Sequence, residues 1–507
     1  MTSIASETRY LKAQPRPLVR ATGGFVGVAI ILWFFADIEI TTQDPWTEVG
    51  RMAIGAITPD FFNTDELFTA IVNTIAFAIL GVALGNFWGF FLALIFHYRA
   101  VRVFCAFIRS VHELFWALIF LQVFGLSALT GILALAIPYA GIIAKVYSEI
   151  LEEADTSPLK VIPRGASSIS VFMFARMPDA WVHFKTYSLY RLECGLRSSA
   201  VLGFVGLPTL GFHLETAFAE GVYSEASALL IIFYIIIATI RKWTHAKLVP
   251  FYILLALFVI PWGLSDISMT NVVRFFTNDI IPHPIRVAET INGATLTAFW
   301  AWLAKLFADQ ALPGIIATVI LTQIALVGAG ALTLVFFPLI SPKFFGLFGR
   351  TAGHIFLVVA RSTPEYILAL IFLLLWGPSM LPAIVALALH NGAIIGHLMG
   401  RFTEDMRLRP DSSKGINLYA YDVVPRMYRQ FLAFLFYRWE VIMRETAILG
   451  ILGIATLGFY VDSAFADLRY DRALVLIFIT ACLNLGIDVL SRTIRSKLRL
   501  QTRTEIA

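Results

Sequence analysis

Apolar runs long enough to cross a hydrocarbon layer dominate this 507-residue chain. They lie at 23–38, 70–96, 114–124 with its upstream extension, 129–146, 227–240, 249–264, 315–337, 355–376, 381–399, 447–461 with upstream residues, and 472–490. About 20 helical residues span such a layer. With the short run at 198–212 they predict about twelve helical passages and an all-α polytopic membrane protein. Only 14% of residues are charged, where soluble domains run to roughly a quarter, so a water-soluble core is excluded. The runs at 198–212 and 447–459 are Gly-rich and are expected to bend or re-enter, which is tolerated where backbone is buried in protein.

Basic residues concentrate in alternate loops. They include Arg9 to Arg20, Arg99 and Arg102, Lys160 to Arg191, Arg241 to Lys247, Lys343 to Arg350, Arg401 to Arg438 and Arg492 to Arg503. The loops between are acidic, with Glu39, Asp44, Glu48, Asp60, Asp65 and Glu66 in one, Glu215, Glu220 and Glu225 in another, and Asp462, Asp467 and Asp471 in a third. The positive-inside rule then places both termini in the cytoplasm and makes the number of crossings even. The net charge of +5 is a topology signal, and its division among loops gives no support for nucleic-acid binding. No small-residue cleavage site follows the first run, so it reads as an uncleaved span. Cys105, Cys194 and Cys482 are far apart, lack a CxxC spacing, and read as buried thiols.

The chain contains one module twice. Arg109-Ser110-Val111-His112-Glu113 recurs as Arg361-Ser362-Thr363-Pro364-Glu365, and a shift of 252 holds through Gly125/Gly377, Ile142/Ile394 and Glu152/Glu404. A second block, Tyr190-Arg191-Leu192-Glu193 with Arg197, recurs as Tyr437-Arg438-Trp439-Glu440 with Arg444 at a shift of 247. That register continues to Ala217-Phe218-Ala219 and Ala464-Phe465-Ala466. Matching loops are basic in both copies, so the modules share one orientation and each contains an even number of crossings, six plus six. Parallel repeats of this kind place a shared pathway at their interface.

Each module has a long cytoplasmic loop between its fourth and fifth passages, near 148–190 and 400–437, and loops of that length are usually functional. The first holds Gly165-Ala166-Ser167 and, thirteen residues after Gly165, Pro178 preceded by Met177. This pattern resembles the coupling loop of binding-protein-dependent ABC importers, with Leu159 where that family has a Glu and Glu152-Glu153-Ala154 upstream. In the second copy Val424-Pro425 fits, and Gly415 is out of place. The Tyr-Arg-x-Glu-x-x-x-Arg blocks, Arg-Ser-x-x-Glu-Leu at 109–114 and Pro59-Asp60-Phe61 are similar to the phosphonate-type ABC permease family. The likeness covers about 45–241 and 262–491.

The resemblance implies the type I importer permease architecture, with two parallel six-helix modules fused in one chain. The first module would span 21–242 with a core at about 67–241, and the second 243–491 with a core at about 312–491. They would be flanked by cytoplasmic segments 1–20 and 492–507, in a bacterial inner membrane. It also implies two copies of a cytoplasmic ATPase on the coupling loops, a periplasmic substrate-binding protein on the acidic face, and a small anion as cargo, a phosphonate such as 2-aminoethylphosphonate or phosphite. No GxxxxGK[ST] occurs, so ATP and Mg would belong to the partner, and this chain is expected to bind no cofactor and to catalyse no reaction.

Arg109/Glu113, Glu193/Arg197, Arg361/Glu365 and Glu440/Arg444 are each spaced i,i+4, so each pair is expected to share a helix face. An unpaired charge in the bilayer costs about 2.5–3.5 kcal/mol on insertion scales. They either neutralise one another and lock helices, or Arg197 and Arg444 form a basic constriction for an anion. His112, Pro138 and His183 stand out less, a lone His on an apolar helix reading as a hydrogen-bonded core residue, and no HxxxH or His/Cys cluster points to a metal. Trp300, Trp302, Leu303, Leu306 and Phe307, with Lys305 and Asp309, read as an interfacial helix. The competing class is a twelve-helix carrier driven by an ion gradient, which requires a buried carboxylate that titrates. A membrane-embedded enzyme would need a polar catalytic cluster, and none has suitable spacing.

Overall fold

The computed structural model describes residues 17–500 except 43, 155–161, 163, 164, 265 and 409–411. The basic residues before Pro17, Lys160, Leu159 and the tail beyond 500 lie outside the described residues. Six helices are long and apolar enough to span a membrane: α3 (Leu67–Leu94), α6 (Ala128–Glu153), α10 (Tyr223–Trp243), α15 (Leu312–Phe336) with its flanks, α18 (Met380–Asp405) and α22 (Tyr470–Lys497). Three bent pairs bring the number to nine. These are α4 (Arg99–Ser110) with α5 (Glu113–Phe124), bent by 89°; α8 (Met177–Val201) with α9 (Leu210–Ala219), bent by 57°; and α16 (Leu347–Ser362) with α17 (Glu365–Trp376), bent by 95°. α1 (Pro17–Trp33) and α11 (Val249–Val259) are shorter and apolar. The twelfth counterpart, α20 (Val424–Leu449) with α21 (Leu457–Ala466), repeats α8 and α9 but carries Arg426, Arg429, Arg438, Glu440, Arg444 and Glu445.

The two cores are therefore α3–α6 with α8–α10, and α15–α18 with α20–α22. The first helix of each half packs on the core of the other. α1 lies against α15 and α20, where the Phe25 ring meets Phe436 at 4.9 Å and Trp439 at 5.1 Å, Gln323 donates to the Phe25 carbonyl (3.2 Å), and Thr22 bonds the Tyr428 hydroxyl (2.7 Å). α11 in turn packs on α3. Interlocking of this kind makes each half bury part of its apolar surface only when the other half is present.

Close helix approach in each core rests on small residues, as expected where lipid removes the hydrophobic drive between helices. Gly81, Gly85 and Gly89 of α3 lie against Leu135, Tyr139 and Ile143 of α6, with no room for a Cβ. In the second core the ridge has moved to the other helix, as Gly392, Gly396 and Gly400 of α18 lie against Leu332, Phe336 and Ile340. At the expected Gly-rich bends two stretches of backbone touch. A Cβ on Gly203 would meet the Phe212 amide and one on Gly211 the Ala200 carbonyl, and Gly450 and Gly458 repeat this against Phe459 and Ala447.

Residues 300–309 do not form a separate interfacial helix. α14 (Gly293–Leu306) runs through one π turn, Phe307–Ala311, into α15, giving one 48-residue helix to Ile340. At 1.5 Å per residue this is about 72 Å, so its amino-terminal part extends beyond a hydrocarbon layer of about 30 Å. Pro313 lies inside this helix without ending it, because it follows directly on the π turn, where the regular i→i−4 ladder is already interrupted. Cys482 is exposed on α22, a correction to the expectation of a buried thiol, whereas Cys105 is buried and Cys194 half-buried.

Candidate functional site

Both four-residue spacings that include the Arg-Ser motif are interrupted. α4 stops at Ser110 and α5 starts at Glu113; α16 stops at Ser362 and α17 starts at Glu365. Arg109 and Glu113, and likewise Arg361 and Glu365, therefore sit on different helices at a near right angle, and do not share a face. In the second copy Pro364 cannot continue the helix. In the first, His112 takes extended backbone and caps α5, its Nδ1 accepting from the Leu114 amide at 3.1 Å. Glu193/Arg197 and Glu440/Arg444 do lie on single helices, α8 and α20.

Breaking a helix leaves carbonyls without partners, which is costly away from water. Each break is closed by an arginine from the other module together with a second polar side chain. Arg444 Nη1 donates to the Arg109 carbonyl (3.2 Å), and Asn484 Nδ2 to the Ser110 carbonyl (2.7 Å). Arg197 Nη1 donates to the Arg361 carbonyl, also at 3.2 Å, and His390 Nδ1 lies 2.9 Å from the Thr363 carbonyl. Cations at helix carboxyl termini also complement the dipole. The related arginines thus reach across the interface in the same way in both directions.

All eight charges singled out in the sequence line one cavity of about 470 Å³ between the modules: Arg109, Glu113, Glu193, Arg197, Arg361, Glu365, Glu440 and Arg444. Their partners are not those of the i,i+4 pattern. Arg109 bonds Glu440 of α20 and Asp488 of α22, each at 2.5 Å, and Arg492 bonds the same Asp488 at 2.7 Å. The other side differs. Arg241 occupies the repeat position of Asp488, and the charges acting on Arg361 are Glu193, Arg197, Arg401 and Arg241. Nε atoms of Arg361, Arg438 and Arg444 are buried without a hydrogen-bond partner among the described residues. The cavity is lined by several guanidinium groups, Arg197, Arg361, Arg438 and Arg444 among them, a donor type suited to a small oxyanion.

Sequence reading missed Asp488, Glu445, His390 and Asn391, and named Arg438 only as part of the repeated block. Carboxylate oxygens of Glu365 and Glu445 and a ring nitrogen of His390 lie within 4.8 Å of one another, a group that could hold a cation. Neither helical spacing nor a motif joins residues this far apart, and only the repeat hints at them, because Glu445 and His390 replace Ser198 and Pro138. His183 is exposed on α8, a correction to its reading as a core residue, because this end of the helix lies ahead of the buried stretch that begins near Gly195.

The long loops carry matching segments. Residues 168–176 comprise the short helix α7 (Ser168–Val171) and a π turn, and residues 415–423 comprise α19 (Gly415–Asn417) and a π turn. Ser167 caps the first, accepting from the Ser170 amide (3.1 Å), and Gly165 and Gly415 hold positive φ of 109° and 64°. Met177-Pro178 and Val424-Pro425 begin α8 and α20, with each proline in the first turn. Phe172 lies against Phe90, and Tyr419 stacks on Phe337 at 5.5 Å and donates to the Leu334 carbonyl at 3.0 Å. Ile169 (77% exposed) and Phe174 (83%) recur at the 247 shift as Ile416 (80%) and Tyr421 (82%).

No family model matches the chain, and no solved structure matches it. Similar proteins are found among permeases. A phosphate-import permease protein of Mycolicibacterium smegmatis is 25% identical over 429 residues, 79% of this chain and 77% of that protein, and so extends along both halves. A phosphite transport system permease protein of Stutzerimonas stutzeri is 27% identical over 216 residues, 40% of this chain and 78% of that protein, the size of one module. A putative cryptic phosphonate transport system permease protein of Escherichia coli is 31% identical over 101 residues, 20% of this chain and 83% of that protein. With these similarities and its repeated helical core, the chain belongs to the phosphonate-type permease family, as two permease modules fused in one polypeptide.

Proposed function

We propose that this chain is the complete membrane component of an ATP-binding-cassette importer carrying a small phosphorus oxyanion, a phosphonate or phosphite, across a bacterial inner membrane. The observation that carries this reading is the pair of matched loop segments at 168–176 and 415–423. Each is anchored by an aromatic residue and presents an exposed apolar pair outward, Ile169/Phe174 and Ile416/Tyr421. Two such patches fit two copies of one ATPase, since exposed apolar groups at repeated positions mark interaction sites. Gly165, Ala166, Ser167, Met177, Pro178, Val424 and Pro425 shape these segments. Both termini and both segments are cytoplasmic in this reading, and a binding protein docks on the acidic outer face.

Closure of the ATPase pair pulls the two segments together and tilts α8 and α20, which begin directly after them. The arginines that cross the interface ride on those two helices. Their contacts with the Arg109 and Arg361 carbonyls are therefore remade as the cavity opens to the other side, which is alternating access through differential contacts. In the cavity Arg197 and Arg444 take the oxyanion. Phosphate, phosphite and phosphonate share that group, in agreement with the names of the relatives. The Glu365–Glu445 pair is the feature a gradient-driven carrier would use.

One experiment separates the two readings. Proteoliposomes containing this chain, with and without its ATPase and binding protein, are assayed for uptake of labelled phosphonate and phosphite. Uptake that needs ATP and both partners supports the importer. Uptake by the chain alone under a proton or sodium gradient overturns it.

A further inference from the structure

The two halves of the cavity are not equivalent, and the difference lies at one cluster. In the first module Glu113 accepts from the Ser198 hydroxyl (2.6 Å), which also bonds the Tyr139 hydroxyl (3.1 Å). The repeat positions in the second module are Glu365, Glu445 and Asn391, with His390 where the first module has Pro138. A hydroxyl that could donate has thus become a second carboxylate.

The consequences follow from donor counting. Ionised carboxylates only accept. His390 is buried, and its Nδ1 faces the Thr363 carbonyl at 2.9 Å, so that nitrogen carries the hydrogen and the neutral ring's Nε2 accepts. Nε2 lies 3.7 Å from Glu365, too far for a hydrogen bond. The Asn391 amide donates to Glu445 at 3.1 Å, while its Oδ1 is buried with no partner among the described residues. Three acceptors therefore converge with too few donors, and two carboxylates so close cannot both ionise without a positive charge between them. The acceptor atoms of Glu365, His390 and Glu445 lie within 4.8 Å of one another, close enough to surround one small cationic group.

The same cavity holds Arg197 and Arg444. We propose that it binds its cargo as a zwitterion, with the ammonium group of an aminoalkylphosphonate on Glu365, His390 and Glu445 and the phosphonate on the two arginines. This rests on the importer reading for the oxyanion half alone. The acidic cluster then sets a preference within phosphorus oxyanions, favouring those that carry an amine.

Equilibrium binding to the full chain in lipid nanodiscs tests it, with 2-aminoethylphosphonate, ethylphosphonate and phosphite as probes, and Zn²⁺ or Mn²⁺ alone. Ethylphosphonate has the same skeleton without the ammonium. The wild type should prefer 2-aminoethylphosphonate over ethylphosphonate by about ten-fold or more, the scale of a charge-assisted hydrogen bond. E445Q and E445S should abolish the preference and leave ethylphosphonate affinity within about two-fold. E445S places the first module's residue at that position, and retained ethylphosphonate binding reports that the variants are folded. Equal affinity of the wild type for both phosphonates overturns the zwitterion site and leaves the oxyanion reading standing. Failure of all three phosphorus probes overturns both. Metal binding that is lost in E445Q, with the amine preference unchanged, assigns the cluster to a metal and overturns the proposal.

Discussion

Replacing Arg109 by Gln should destabilise the assembly far more than the repeat-equivalent change at Arg361, although the two positions carry the same motif. Arg109 Nη1 meets Glu440 and Nη2 meets Asp488, each at 2.5 Å, with side chains 10%, 17% and 2% exposed. Removing one partner of a buried ion pair costs about 3–5 kcal/mol, because a buried charge is left behind. Here two carboxylates lose a partner, although Asp488 keeps Arg492 at 2.7 Å. Arg361 forms no ion pair within 4.0 Å among the described residues and has Arg197, Arg241 and Arg401 acting on it. R361Q therefore removes a mutually repelling charge as well as a favourable one, and should cost under about 1 kcal/mol, the scale of an exposed pair. Unfolding of the purified chain in mixed micelles, followed by intrinsic tryptophan fluorescence, measures both variants. Adding E440Q and D488N to R109Q should recover most of the loss, since neutral side chains need no counter-charge. Equal costs at 109 and 361, or no recovery in the triple variant, would refute the assignment of Arg109 as the inter-module clasp.

Four further outcomes follow from the geometry. I169E with F174E, or I416E with Y421E, should abolish co-purification of the ATPase and ATP-dependent uptake while the chain keeps its gel-filtration profile; retained co-purification would remove the coupling assignment. R197Q with R444Q should abolish uptake without loss of the folded chain, because each change removes one cavity cation and weakens one bond to a broken helix; normal uptake would exclude the arginines from the pathway. G211A and G458A should each cut the yield of folded protein by several-fold, since the added Cβ meets a carbonyl of the facing strand of backbone, and near-normal expression would show that the turn can open. G85V should cost about 1–3 kcal/mol through overpacking against Tyr139 and Ala136, read in the same micelle unfolding assay.

The repeat made much of this architecture readable. Register alone related Arg197 to Arg444 and Met177-Pro178 to Val424-Pro425, and the structure places these at corresponding points of each core. What spacing could not convey was the right-angle break at Val111-His112. The i,i+4 rule holds only along a continuous helix, and nothing in that dipeptide forbids one, whereas Pro364 in the second copy does. The break then redirects Arg109 away from Glu113 toward Glu440 and Asp488, which are 331 and 379 residues away. Such partners are chosen by packing between modules and leave no local trace. The exchange of first helices was equally hidden, because an apolar run records that a helix is buried or lipid-facing but not which neighbour covers it.

Fusion itself accounts for the asymmetry of the site. In a pair of identical subunits any residue near the axis faces its own copy, so a carboxylate placed there appears twice. A second Glu in place of Ser198 would add one more carboxylate to a cavity that Glu113, Glu193, Glu365, Glu440 and Glu445 already line, with no added cation. A second Asp in place of Arg241 would alter the charge around Arg361 in the same enforced way. Covalent linkage removes the constraint, because each half always meets the other and never itself. Glu445 can then oppose Ser198, His390 can oppose Pro138, and Asp488 can oppose Arg241, so one half clasps Arg109 while the other leaves Arg361 among like charges. Among the residues that remain matched, Arg197 with Arg444 and Gly211 with Gly458 close a break or a turn that both halves contain. The copies diverge at Ser198/Glu445, Pro138/His390 and Arg241/Asp488, beside the four charge pairs that both keep.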